Sequence, residues 1–164
     1  MNVKQDVKVE LSLYHSQHKE TLNKFYLPEE QKQFTGLPVD ILSLAIEDIH
    51  RFPLVILADS IPVGFFVLYD GEDIKAYTTK EHAMLLRAFS INHADQGKGY
   101  AKKGLLKLTD FVKKNFPQIE EIVLAVNAKN LPAKNLYLRS GFQDSGVLRI
   151  GPIGPQHILV LPIR

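Results

Sequence analysis

The chain has 164 residues, 45% of them hydrophobic, with no cysteine and a formal charge of +2, which suits one domain with a real core and leaves too little for two. Without cysteine there is no disulfide framework, thiolate nucleophile or cysteine metal site, and a slight, dispersed positive charge gives nucleic acid little support as a partner. No apolar run is long enough to cross a bilayer, and Met1 to Asp6 leads into no signal-peptide core, so a cytoplasmic protein with no membrane partner is expected.

Val7, Val9, Leu11 and Leu13 alternate with Lys8, Glu10 and Ser12, the pattern of a half-buried first strand. From His15 to His50 the pattern is helical. Leu37, Ile41, Leu44 or Ala45, and Asp48 or Ile49 recur every three to four residues, while Pro28 and the Thr35 to Pro38 segment cut the run into pieces. Glu29, Glu30, Asp40, Glu47 and Asp48 read as a solvated face in preference to a receptor for a cation. His15 and His18 have a helical spacing that suits a metal, but no third ligand is in view, so no metal site is expected. Phe52 to Ala58 and Val63 to Tyr69, joined by Asp59-Ser60-Ile61-Pro62, predict an antiparallel hairpin. Asp70 to Asp73 turns the chain, and a polar connection, Tyr77 to His82, leads into the strand Met84 to Ile91.

That strand runs into Asp95-Gln96-Gly97-Lys98-Gly99-Tyr100-Ala101-Lys102-Lys103-Gly104. The segment opens an amphipathic helix with Ala101, Leu105, Leu108, Phe111 or Val112, and Phe116 on one face, stopped by Pro117. Ile122 to Val126 is continuously apolar, as a strand covered on both faces must be, so strand, helix and strand predict a right-handed βαβ crossover. A helix follows, with Asn130 as N-cap, Pro132 in its first turn and Gly141 at its end. Phe142 to Ile150 and Gln156 to Ile163 complete the chain as two strands around Gly151 to Pro155.

The strand-to-helix loop has the makings of a phosphate site. First-turn amides lack partners, the helix dipole adds positive charge, and Lys98, Lys102 and Lys103 add full charges. A Walker A loop is excluded, since Asn92 and Gly99 stand where it needs a glycine and a hydroxyl residue; a dinucleotide fingerprint is excluded because Lys102 stands where it needs its third glycine. The run Gln96-Gly97-Lys98-Gly99-Tyr100-Ala101 instead matches Gln/Arg-x-x-Gly-x-Gly/Ala, the pyrophosphate loop of the Gcn5-related N-acetyltransferases. Asn130-Leu131-Pro132-Ala133-Lys134-Asn135-Leu136-Tyr137-Leu138-Arg139-Ser140-Gly141-Phe142 is similar to that family's second signature: an Asn, an Ala three residues on, Leu-Tyr, then Gly-Phe. The resemblance is close from about Met84 to Phe142 and rests on the order of elements in the first half.

The resemblance implies an α/β fold, a single acyl-CoA-dependent N-acetyltransferase domain over residues 1–164, with a mixed, twisted sheet of about six or seven strands and helices on both faces. Acetyl-CoA would be the co-substrate. Its pyrophosphate would lie on the loop of Gln96, Gly97, Lys98, Gly99, Tyr100, Ala101 and Lys102; its pantetheine would pair with the strand at Phe89, Ser90 and Ile91, faced across a gap by Asn130 and Ala133. Tyr137 would bind beside the thioester and give the departing thiolate its proton, a role suited to a phenol that stays protonated at neutral pH. The acceptor would be a primary amine: a small amine, an amino acid, an amino sugar or a peptide N-terminus.

The strand glutamate common in lysine-modifying members falls here on Leu85, an argument against a histone-type mechanism. Glu72, Asp73, Glu81, His82, Ser90 and ordered water stay open as the base, and His93 reads as a surface residue. Two other classes stay in view: a non-catalytic acyl-CoA-binding module, suggested by Leu85, and a structural protein whose glycine loop is an ordinary turn. The terminal strands leave edges through which a homodimer could pair.

Overall fold

The computed structural model describes residues 7–164; Met1 to Asp6, read above for a signal core, lies outside the described residues. In chain order the elements are β1 (Val9–Leu13), α1 (Lys19–Asn23), α2 (Glu29–Lys32), α3 (Pro38–Glu47), β2 (Arg51–Ala58), β3 (Ile61–Tyr69), β4 (Ala83–Ile91), α4 (Tyr100–Leu106), α5 (Leu108–Asn115), β5 (Glu121–Asn127), α6 (Leu131–Arg139), β6 (Gln143–Gly151) and β7 (Gly154–Pro162). Short 3₁₀ turns occupy Ser16–His18, Glu72–Ala76 and His93–Asp95. The strands form a seven-stranded sheet in the order β1-β2-β3-β4-β5-β7-β6. Within it β4 and β5 run parallel, and each other neighbouring pair is antiparallel.

Strand alternation divides the sheet into two apolar faces. Leu54, Ile56, Phe66, Leu68, Met84, Leu86, Ile122 and Leu124 point to one face and pack with Leu105, Leu108 and Val112 of α4 and α5 and Tyr137 of α6. Val55, Phe65 and Val67 point to the other, under Leu22 of α1 and Leu42 and Ala45 of α3. Tyr69, Leu85 and Val123 continue that second face beneath Ile74 and Tyr77. The mixed sheet covered on both faces agrees with the sequence reading.

Some boundaries move for local reasons. Asp59 and Ser60 take φ of 46° and 70°, a two-residue turn suited to the twist of a hairpin, so Ile61 and Pro62 belong to β3 and not to the connection. On α3, Leu42 and Ala45 are buried, while Leu44 is 53% and Ile49 82% exposed. Of the paired alternatives in that stripe, Ala45 therefore faces the sheet, and Ile49 lies past the helix end. The helix expected from Ala101 to Phe116 is interrupted at Lys107, whose N–H reaches back only three residues, to Gly104 O at 3.0 Å, tightening that turn. No helix among the described residues is long and apolar enough to cross a membrane.

Candidate functional site

The parallel pair β4 and β5 is where the sheet opens. Their register runs Ala83↔Glu121, Met84↔Ile122 and Leu85↔Val123, then stops. Leu86 to Ile91 and Leu124 to Asn127 diverge to form opposite walls of a cleft of about 1070 Å³. A parted strand pair leaves backbone N–H and C=O groups along both inner edges, which must find water or a ligand.

A bulge sharpens the opening. On β3, Val67 pairs with Arg87 and Phe65 with Ser90, so Phe66 alone faces both Ala88 and Phe89. Ala88 takes φ of 59°, unusual for a residue with a Cβ. The extra residue resets the alternation. Phe89 and Ile91 turn to the face carrying α4 to α6, where Phe89 meets Phe66 (ring centroids 5.7 Å), while Arg87 and Ala88 stand on the face carrying α1 and α3.

The glycine loop closes one end of the cleft. Gly97 and Gly99 have φ of 78° and 84°, and a Cβ built on either would meet no protein atom within 4 Å, so the backbone lies open to whatever occupies the cleft. Gln96 braces the loop. Its side-chain amide donates to the Ile91 carbonyl at 2.9 Å and exchanges two hydrogen bonds with Gln31 of α2, at 2.8 and 3.0 Å. The Ile91 carbonyl, expected to be free for a ligand, is therefore taken by the protein. Gln96, Gly97, Gly99, Tyr100, Ala101 and Lys102 line the cleft. Lys98, expected there too, does not: its Nζ lies 3.9 Å from Asp95 Oδ1.

From the far wall α6 contributes Asn130, Ala133 and Tyr137. Asn130 is the N-cap, its Oδ1 accepting the Ala133 N–H at 3.4 Å, so its NH₂ is the group left for the cleft. Tyr137 is buried, edge-on to Phe89 and Phe142 with ring centroids 5.8 and 5.6 Å away. Burial pushes its phenol well above the ordinary tyrosine value, so it is held protonated. Ser90 also lines the cleft, and its buried Oγ finds no partner among the described residues, the same condition as Thr35 Oγ1 at the α2 side. Orphaned hydroxyls of this kind call for a bound molecule or water.

The candidate bases are scattered. Glu81 and His82 precede β4, at the end away from the opening. Glu72 and Asp73 border a smaller hollow beside Arg87. His93 sits edge-on to Tyr26 at 5.8 Å, its N–H donating to Tyr26 O at 3.0 Å. Leu85 is packed with Tyr69 and Val123. His18 Nδ1 accepts the His15 N–H at 3.1 Å, so that pair is used in folding, and no group of three or more metal-ligating side chains converges among the described residues. Glu30, read from the sequence as part of a solvated face, lines the cleft, as do Gln31, Thr35, Arg87, Arg139 and Gln156, which the sequence did not single out for it. Arg87 alone carried a signal, as a charge inside an otherwise apolar strand.

Comparison with known proteins agrees with this geometry. The family model described as acetyltransferase (GNAT) family matches residues 14–142. An uncharacterized N-acetyltransferase, YbbJ, of Bacillus subtilis (strain 168) is 46% identical over 152 residues, spanning 92% of this chain and 95% of the relative. The structure of AAC(6')-Ib with paromomycin and acetyl-CoA superposes with a TM-score of 0.72 at 19% identity, covering 94% of this chain and 93% of the other. An uncharacterized protein from Bacillus halodurans gives a TM-score of 0.78 at 18% identity, covering 95% and 84%. At such identities the last two likenesses are of fold.

Proposed function

Because the chain belongs to the GNAT acetyltransferase family, we propose that it transfers the acetyl group of acetyl-CoA to a primary amine by direct attack in a ternary complex. The observation that carries this reading is the β4–β5 opening, which joins an accessible glycine cradle at one end to a buried, protonated tyrosine inside.

The residues fit the coenzyme. Gly97 and Gly99 leave open space beside the loop backbone where a side chain would stand, the loop amides would take a pyrophosphate there, and Lys102, also lining the cleft, would add charge. The inner edge of β4 at Phe89 and Ser90 offers an amide-rich arm a strand-like partner, opposite the NH₂ of Asn130 and the small side chain of Ala133. The solved AAC(6')-Ib complex holds acetyl-CoA in the same fold. Bound there, acetyl-CoA supplies an activated acyl group.

The chain's own residues then have three tasks. The amine must arrive neutral, and since Leu85 replaces a strand carboxylate, its surplus proton leaves through water in the cleft. As the nitrogen attacks the carbonyl carbon, a backbone N–H on the bulged segment of β4 takes the charge growing on oxygen. When the C–S bond breaks, Tyr137 gives its hydroxyl proton to sulfur and recovers one from the new ammonium by way of solvent. The raised phenol does not forbid this, because the same burial that disfavours a phenolate also disfavours a thiolate beside it, so the two proton affinities rise together.

The test is free-thiol release from acetyl-CoA over a panel of polyamines, amino acids, amino sugars and short peptides, with Tyr137→Phe beside the parent. The expected result is release with one acceptor class and a kcat at least about tenfold lower in the variant, with acetyl-CoA affinity kept. Binding of acetyl-CoA without release over any acceptor would favour a non-catalytic acyl-CoA module.

A further inference from the structure

The proposed chemistry requires an amine but says nothing of what else the acceptor carries. The sheet face opposite the glycine loop does. Arg87 of β4 and Arg149 of β6 both border a hollow of about 370 Å³ between the sheet and the Glu72–Ala76 turn, and Arg87 also lines the main cleft, so this one residue stands between the two spaces. Register places both on one face. Arg149 pairs with Gln156, Gln156 with Asn127, and four residues along from these Val160 and Val123 belong to the apolar cluster with Leu85, two residues before Arg87.

Both guanidiniums are held and neither is neutralised. Arg149 stacks over Tyr77 with its Cζ 4.6 Å from the ring centroid, and its Nη1 donates to Gln156 Oε1 at 2.9 Å. Arg87 lies 5.8 Å from the centroid of Tyr69. Among the described residues neither has a carboxylate within ion-pair distance. Of the carboxylates bordering the hollow, Glu72 is paired with Lys75 (Oε2 to Nζ 3.1 Å) and Asp73 accepts from Tyr69 OH at 3.4 Å, so against two guanidiniums one unpaired carboxylate stands and the hollow keeps positive charge in excess. A stacked guanidinium keeps its planar fork of donors for an incoming anion, and a carboxylate fits that fork.

We infer that the acceptor is an amine bearing a carboxylate, of the amino-acid type, with the carboxylate held by Arg87 and Arg149 and the amine directed past Ala88 to the opening between β4 and β5. This rests on the transferase reading and narrows its acceptor. The bond changes are those given above: a C–N bond forms, the C–S bond breaks, and the amine's proton replaces the one Tyr137 gives to sulfur. Polycationic acceptors would bring charge against Arg87 and are disfavoured.

The test pairs equilibrium binding with turnover. Calorimetry on the CoA-saturated protein would use free α-amino acids, their carboxamides, their decarboxylated amines, β- and γ-amino acids, spermidine and kanamycin; thiol release from acetyl-CoA would use the same set. At least one amino acid should bind about tenfold or more tightly than its amide and its decarboxylated amine. Arg87→Gln and Arg149→Gln should each remove about tenfold of that preference while leaving the amide's affinity and the acetyl-CoA-induced rise in Tm unchanged, which shows the fold and coenzyme site intact. Arg87→Lys should restore part of the loss. Selective carboxylate binding without thiol release would keep this subsite and sink the transferase reading. Efficient acetylation of spermidine or kanamycin, indifferent to Arg87→Gln, would keep the transferase and overturn the subsite; so would failure of every compound to bind.

Discussion

His18 is a buried imidazole whose Nδ1 accepts a backbone hydrogen bond from His15, which requires that nitrogen to be unprotonated. Burial first, and the neighbouring His15 second, lower its pKa below the ordinary histidine value. The folded chain thus binds fewer protons here than the unfolded chain, whose histidine titrates near about 6.5, so stability from this site is present above that pH and is lost as pH falls through the lower folded value. A series of denaturant melts between neutral and mildly acid pH should show this decline, and His18→Gln, which keeps an acceptor but cannot titrate, should flatten it. An identical slope in the variant would refute the account. Gln96 shows the other use of a polar side chain at this scale: it ties the end of β4 to α2 through Gln31 and frees the loop amides from that task.

Among the elements, α4 decides where the loop sits. A Cβ at Gly104 would lie 2.9 Å from Ile56 Cδ1 and 3.0 Å from its Cγ1, so the helix backbone rests directly on β2. Gly104 costs roughly 1 kcal/mol of helix propensity and is offset by that close approach. Gly104→Val should lift α4 from the sheet and lower stability by about 1–3 kcal/mol by overpacking, seen as a reduced denaturant midpoint. It should also weaken acetyl-CoA binding, because Gly97 and Gly99 move with the helix they precede. Unchanged affinity in a folded variant would mean the loop is anchored by Gln96 alone. The bulge in β4 acts on the same scale, since one extra residue puts Arg87 and Ala88 on one face and turns Phe89 toward Tyr137 on the other.

Across the whole molecule, a seven-stranded sheet is left incomplete at its middle. Strand groups that pair nowhere in the protein gain most from a ligand that pairs with them, so coenzyme binding should stabilise the entire fold. At a concentration about 100-fold above its Kd, acetyl-CoA or CoA should add about 2.7 kcal/mol and raise Tm by roughly 5–10 °C in a chain of this size. An unmoved Tm across that range would identify the glycine loop as an ordinary turn. The far edge, β6, is largely exposed and is bent by a register shift between Asp144 and Leu148, a device that discourages pairing along its full length.

The sequence by itself determined what depends on neighbours along the chain. Alternation placed the first strand, apolar runs about turn residues placed the hairpin of β2 and β3, the Ala101 to Phe116 stripe placed helical structure after the loop, and Gln96 to Ala101 with Asn130 to Phe142 identified the family, since turn, cap and phosphate-cradle chemistry is written in consecutive residues. Only the tertiary structure decided what depends on residues meeting across strands. The bulge at Ala88 follows from β4's register against β3, and the insertion of β7 between β5 and β6 follows from edge pairing that no local pattern encodes. The bracing of Gln96 by Gln31 and the convergence of Arg87 with Arg149 depend on side-chain positions set by elements far apart in the chain. Local composition specifies which elements form, whereas burial and hydrogen-bond satisfaction over the assembled sheet specify which of their groups remain free to act.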